Sequence, residues 1–173
     1  MTRAARLDLR SFQQELANRL SAKTAAQVES SRLGVQCGDS RWLIRLSDAG
    51  EVIAVPAIVP VPLTHRWFLG LANIRGNLFS IIDFPAFLGG EPVVPGPLAR
   101  LILLNARSGE QNAGIVVQRV LGLRNLTQMR RDPRETGGPS WHVEQWLDDE
   151  GAAWQEIDLG KLGRDPAFLH VGA

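Results

Sequence analysis

Residues 70–84, Gly-Leu-Ala-Asn-Ile-Arg-Gly-Asn-Leu-Phe-Ser-Ile-Ile-Asp-Phe, decide how the rest of the chain is read. A polar bend, Asn73 to Gly76, runs straight into an apolar strand at 78–83, with one guanidinium, Arg75, wedged between Ile74 and Gly76. Asn73 and Gly76 both tolerate positive φ, so these four residues can close a tight connection before the strand. An unpaired buried guanidinium is very costly. Arg75 must therefore stay partly wet, or have its fork of donors taken up by carbonyls and carboxylates. One reading makes it a structural clamp. The other makes it a protein-binding hot spot ringed by Leu71, Ile74 and Leu78, since arginine beside apolar residues is enriched at such places. Asp83 closes the strand directly before Phe84 and "PAFL" (85–88), where a carboxylate suits the cap of a short helix better than the role of a general base.

The same texture of short apolar runs and turn residues recurs on both sides. Strands are expected at 42–46, 51–56, 100–105, 113–123 and 152–158, separated by Gly-, Pro-, Asp- or Asn-rich turns at 47–50, 89–97, 108–112 and 148–151. Short strands at this spacing, with little helical pattern, point to barrels or a sandwich. The segment "GGEPVVPGPL" (89–98) is the expected internal seam, because its prolines cannot donate to a central ladder. It divides the β region into two similar halves of about five strands, each enough for one small closed barrel without raw edges. Leu9, Phe12, Leu16 and Leu20 fall on one face of a helix expected over 8–30, and Ser11 with Gln14 has capping-box spacing. That helix either packs on the body or docks another protein. Residues 1–30 are thus an N-terminal helical extension and 31–173 the β domain, ending in one short helix or two turns broken at Gly163 and Pro166.

Charge and composition narrow the function. Nineteen basic residues against 18 acidic ones leave a net charge of +1 over 173 residues. Nucleic-acid and acidic-membrane partners usually show as a clear basic excess, so neither is expected. Cys37 is the sole cysteine, which excludes an intrachain disulfide and reads as a small buried hydrophobe. His65, His142 and His170 form no ligand pair by spacing, so no metal is expected. Asp148-Asp149-Glu150-Gly151 reads as a solvated hairpin turn, lacking the alternate carboxylates of a calcium loop. Arg130, Arg131 and Arg134 are nearly neutralised by Asp132 and Glu135. No nucleophile elbow, Walker lysine or dinucleotide glycine motif is present. No catalytic residue and no cofactor are therefore expected. The N-terminus lacks the continuous apolar core of a signal peptide, and no stretch nears the roughly 18 apolar residues of a membrane span, so a cytoplasmic home is expected. The competing reading is a small RNA- or ligand-binding barrel with Trp42, Trp67, Trp141, Trp146 or Trp154 as stacking platforms.

The run "FLGLANIRGNLFSIIDF" (68–84) resembles the signature of the CheW-like chemotaxis adaptors, a Gly followed by Asn-apolar-Arg-Gly and a strand ending in apolar-Asp. Upstream, "DAGEVIAVPAIVPVPLTHRWFLG" is similar to the family's Glu-apolar strand and Pro-containing lead-in. Downstream, "RLILLN", "AGIVVQRVLGLRNL" and "EIDLGKL" are similar to its second-barrel hairpin and closing strand with helix. The chain departs from the family at Gln118, where an Asp usually follows "VV", and at 141–151, which lacks the usual Gly-rich pattern. The resemblance implies a mainly β fold of two SH3-like five-stranded β-barrel subdomains, with an N-terminal helix and a short C-terminal helix. It also implies a non-enzymatic adaptor between the cytoplasmic tip of a chemoreceptor and the regulatory domain of a CheA-type histidine kinase. Receptor helices would enter the groove between the barrels, against Glu51, Val52, Gly70, Asn73, Ile74, Arg75 and Gly76. Within the family, "SFQQELANRL", "GEVIAVP" and "WFLGLANIRGNLFSIIDFPAFLG" are most like the adaptors of type IV pilus twitching systems.

Overall fold

A computed structural model describes residues 18, 21–105, 112–133 and 137–173. Residues 21–30 are helical (α1). The apolar face expected further upstream, Leu9, Phe12, Leu16 and Leu20, lies outside the described residues. From Ser31 the chain is mainly β and builds two sheets.

The first sheet has the order β8-β1-β2-β11-β10-β9, from β1 (Ser31–Cys37), β2 (Ser40–Arg45), β8 (Arg119–Asn125), β9 (Arg130–Arg131), β10 (His142–Leu147) and β11 (Ala153–Ile157). Its two outer strands are one bent stretch of chain. Asn125 ends β8 and its side chain accepts from the Thr127 N–H, starting a 3-10 turn at Leu126–Gln128 that leads into β9. That bend carries the chain from one end of the sheet order to the other, so the sheet curls as a small barrel with β8 paired to β1 and β9 to β10. The second sheet has the order β3-β6-β7-β5-β4, from β3 (Ala49–Ala54), β4 (Phe68–Ile74), β5 (Asn77–Asp83), β6 (Arg100–Leu104) and β7 (Ala113–Val117). Its outer strands meet where Val59, downstream of β3, exchanges both backbone bonds with Leu71 of β4 at 2.8 and 2.9 Å. The mainly β, two-barrel architecture expected from the sequence is the one the chain adopts.

The division of the chain is not the expected one. Residues 89–98 connect α2 (Phe84–Phe87) to β6, and so lie within the second barrel. The first barrel takes β1 and β2 from before that segment and four strands from after it. The run 113–123, expected as one strand, is two. The chain leaves the second barrel at Val117, Gln118 donates its N–H to the Gln36 carbonyl, and β8 begins in the first barrel. Four strands were not expected: β1 and β4 carry central glycines that read as loop, β10 alternates polar with apolar residues too weakly to stand out, and β9 is only the two arginines 130–131.

Most of the core lies between the barrels. Leu33, Val35 and Cys37 of β1 meet Ile82, Ile102, Ile115 and Val117 of the second sheet, with Trp42, Phe84 and Trp141 packed edge to face among them. Burial pushes the Cys37 thiol far up, so it stays a neutral, unreactive hydrophobe as expected. Asp83 caps α2 as expected. Its two carboxylate oxygens accept the N–H groups of Ala86 at 2.9 Å and Val93 at 2.7 Å, so it also ties down the proline-rich connection. The C-terminal region forms two short helices, α3 (Leu159–Leu162) and α4 (Pro166–Leu169), capped by Asp158 and Asp165.

Candidate partner-binding site

The bend at 73–76 is a two-residue hairpin turn between β4 and β5. Ile74 pairs with Asn77, leaving Arg75 and Gly76 as its central residues. Their φ angles are 52° and 86°. Both are positive, the geometry that matches the twist of the flanking strands and favours Asn-Gly or Gly-Gly. The positive φ thus falls on Arg75, whereas the residue types favoured Asn73. Asn73 instead stays in β4 and accepts the Gly76 N–H on its Oδ1 at 2.9 Å, which holds the turn closed. Arginine in the left-handed region costs about 1–2 kcal/mol.

The guanidinium is wet and paired. Arg75 Nη2 lies 2.6 Å from Glu51 Oε1, with side-chain exposures of 75% and 37%. Glu51 sits on β3 and Arg75 just beyond β4, the two strands at opposite ends of the sheet order. The ion pair therefore crosses the barrel seam, which backbone bonds close at Val59 and Leu71. An exposed pair of this kind is worth roughly 0–1 kcal/mol. Its contribution to the fold is small.

The other expected site residues separate by face. Gly70 is buried at φ 130°, and a Cβ there would lie 2.1 Å from the Val59 carbonyl oxygen; the fold needs glycine at this point to close the barrel. Ile74 turns into the second barrel beside Ala72 and Ile81. Leu71 turns to the core between the barrels. Of the three apolar residues expected to ring Arg75, only Leu78 is exposed. Cross-strand pairing puts Val59, Leu71, Asn73 and Leu78 on one outward face. Val59 and Leu78 are exposed there, Val52 is exposed on β3, and Leu71 joins the face to the inter-barrel core.

Several other candidates resolve as structure. Trp42, Trp141 and Trp154 are buried, so they cannot act as the stacking platforms of the competing reading. Trp67 stacks on His65 at 5.4 Å, and Trp146 donates its indole N–H to Glu156 at 2.9 Å. The 148–151 run is the expected hairpin turn. Asp148 accepts the Trp154 indole N–H at 2.8 Å, and this bond, with the backbone N–H groups of Ala152 and Glu150 and nearby Arg41, holds its carboxyl below the usual carboxylate range. Arg131 pairs with Glu144 at 2.6 Å, while Arg134 and Glu135 lie outside the described residues. Among the described residues no group of His, Cys, Asp or Glu is placed to hold a metal, and no helix is long and apolar enough to cross a membrane. Sequence spacing missed one feature. His65, His142 and His170, far apart in the chain, all line a cleft of about 840 Å³ with Trp67, Phe87 and Trp141.

Comparison with known proteins adds a family. The description of the CheW-like domain family matches residues 32–166. PilI of Pseudomonas aeruginosa is 31% identical over 112 residues, 62% of this chain and 62% of PilI. FrzA of Myxococcus xanthus is 28% identical over 113 residues, 65% of this chain and 69% of FrzA. The scaffolding protein TtCheW of Thermoanaerobacter tengcongensis has a solved structure that superposes with a TM-score of 0.62 at 20% identity, over 75% of this chain and 88% of that one, which is a likeness of fold. The match thus spans about three-fifths of the length of PilI.

Proposed function

The chain belongs to the CheW-like family, and from that premise we propose that it is a non-enzymatic adaptor joining the cytoplasmic tip of a chemoreceptor to the regulatory domain of a CheA-type histidine kinase in the cytoplasm. The observation that carries this reading is the outward face of the β4–β5 hairpin. It presents exposed Val59 and Leu78 beside the inter-barrel core, with the wet Arg75–Glu51 pair at its end. An apolar strip ending in a charge pair suits an amphipathic helix, which lays apolar anchors in a groove and meets charge at the rim. Val52, Asn73 and Gly76 shape that face, while Gly70 and Ile74 act by holding the hairpin in place. The kinase domain docks elsewhere, barrel end against barrel end. The likeness to PilI supports a role in type IV pilus twitching.

Such contacts can be individually weak. A micromolar interface is worth about 8 kcal/mol, and an array raises avidity by roughly a hundredfold or more without new contacts. Co-precipitation of the full chain with a receptor-tip fragment and with a kinase regulatory domain tests the reading. Leu78→Asp and Arg75→Ala are expected to lower receptor-tip capture at least tenfold while kinase capture persists. Undiminished receptor capture by both variants would overturn the assignment of this face.

A further inference from the structure

The aromatic cleft is walled by elements far apart in the chain: Trp67 precedes β4, Phe87 ends α2, Trp141 precedes β10 and Asp165 caps α4. These walls are held in place. Phe168 of α4 is buried and meets Phe87 edge to face at 5.5 Å. The His65 N–H bonds the Val171 carbonyl at 2.9 Å, tying the chain after α4 to the connection that carries Trp67. Trp67 and Phe87 meet edge to face at 5.2 Å and are half-buried, so ring surface of both stays open to the cleft. Asp165 is the single acid among the described residues lining it, and no lysine or arginine lines it. Its Oδ1 accepts the Ala167 N–H at 2.8 Å. Among the described residues its Oδ2 accepts no bond, and no cation lies within ion-pair distance of the carboxylate. Arg66 and Arg164 are exposed and lie outside the lining.

We propose that this cleft docks an arginine-bearing segment of a partner protein, whose guanidinium lies against Trp67 and Phe87 and donates to Asp165 Oδ2. A planar cation with N–H donors around its rim matches both halves of the site. Guanidinium stacks on aromatic faces and carries its donors in the ring-like plane. An ammonium is a compact, strongly hydrated charge that cannot stack. A quaternary ammonium has no N–H to offer Oδ2. An anion would meet a carboxylate and find no cation to receive it. The cleft, about 840 Å³, has room for several side chains, and Leu88 and Pro139 give it apolar wall for the residues that flank the arginine. The guanidinium therefore enters as part of a polypeptide. No residue of the hairpin face lines the cleft, so this site is independent of the receptor assignment.

Titration of the full chain with a capped Leu-Arg-Leu peptide at low salt, followed by NMR of the indole N–H signals, tests the site. The Trp67 indole is expected to shift with a dissociation constant on the order of 1 mM. The Trp146 indole, bonded to Glu156 in the first barrel, should stay in place. Peptides with citrulline, planar but neutral, or lysine, charged but not planar, should each bind about tenfold more weakly. Asp165→Asn keeps a cap for α4, since asparagine caps helices as well as aspartate, and should weaken the arginine peptide about tenfold. Absence of a Trp67 shift at tens of millimolar peptide would overturn the proposal. So would equal binding of the citrulline peptide, or undiminished binding by Asp165→Asn. Free arginine binding as tightly as the peptide would overturn the polypeptide occupant.

Discussion

The interiors of the two barrels are built on opposite principles. The second barrel encloses aliphatic side chains: Ala72, Ile81, Val93, Ala99, Leu101, Leu103 and Val116. The first encloses charge. Arg32 and Glu156 are 8% and 3% exposed and meet at 2.7 Å, with Trp146 donating to the second Glu156 oxygen and Arg45 3.7 Å from the first. Arg32 also donates to the Glu29 carbonyl at 2.5 Å, so the buried pair anchors the end of α1. Trp154 is buried beside it, with the guanidinium groups of Arg41 and Arg124 over its ring at 5.5 and 5.0 Å. Gly34 makes room, since a Cβ there would lie 2.9 Å from that ring. Aliphatic packing is non-directional and forgives repacking of similar volume. A buried ion pair depends on both partners and gains stability only when every lone pair is used. The first barrel is therefore the brittle one, and α1 hangs from its most brittle contact.

This contrast can be broken at its strongest point. Glu156→Leu leaves Arg32 buried without its carboxylate and should cost about 3–5 kcal/mol, read by urea unfolding. The double variant Arg32→Met/Glu156→Leu should recover most of that loss. Equal instability of the double variant would show that the pair is not the reason for the cost. In the second barrel, Leu101→Ala is expected to cost about 3 kcal/mol through a cavity, and Leu101→Met under about 1.5 kcal/mol. Equal penalties for the two would mean that this core is as shape-specific as the ionic one.

The response to acid should sharpen the same contrast. Asp148, at the end of the first barrel, has its carboxyl held low by the Trp154 indole and backbone N–H groups. Its stabilising effect is complete above the unfolded carboxylate range and disappears as pH falls through the lower folded value. Asp83, against the second barrel, is pushed up by burial despite the two N–H groups it accepts. Protonation there favours the folded state, so its contribution rises as pH falls from the raised value toward the ordinary one. Asp148→Asn should flatten the loss of stability below about pH 4, and Asp83→Asn should steepen it, measured as denaturation midpoints from pH 6 to 2.5. The smallest effect is expected at Arg75. Arg75→Ala should move the melting temperature by less than about 4 °C, because the pair with Glu51 is exposed. A larger fall would return Arg75 to the role of clamp.

Local chemistry was legible where a residue acts on its own neighbours. Asp83 before Pro85 reads as a cap because the acceptor and the free N–H groups lie within a few residues. The 148–151 turn is legible for the same reason, and burial of Cys37 follows from its type. The hairpin was half legible. Its position follows from Asn73 and Gly76, but the positive φ on Arg75 depends on the register of Ile74 against Asn77. Ion pairing of Arg75 was expected in kind, whereas its partner Glu51, 24 residues away, comes from closure of the barrel.

Composition, the alternation of apolar residues and the Asn-Ile-Arg-Gly turn together settle a mainly β chain with the family's hairpin, because each of these depends on contacts short in sequence. The pairing of strands is a different matter. Arg32 with Glu156 spans 124 positions, and the three histidines share one cleft only because the chain leaves the first barrel after β2 and returns after β7. A strand's pattern says which side is apolar and leaves open which neighbour covers it. For that reason residues 89–98 read as a seam between barrels and fold as a connection inside one.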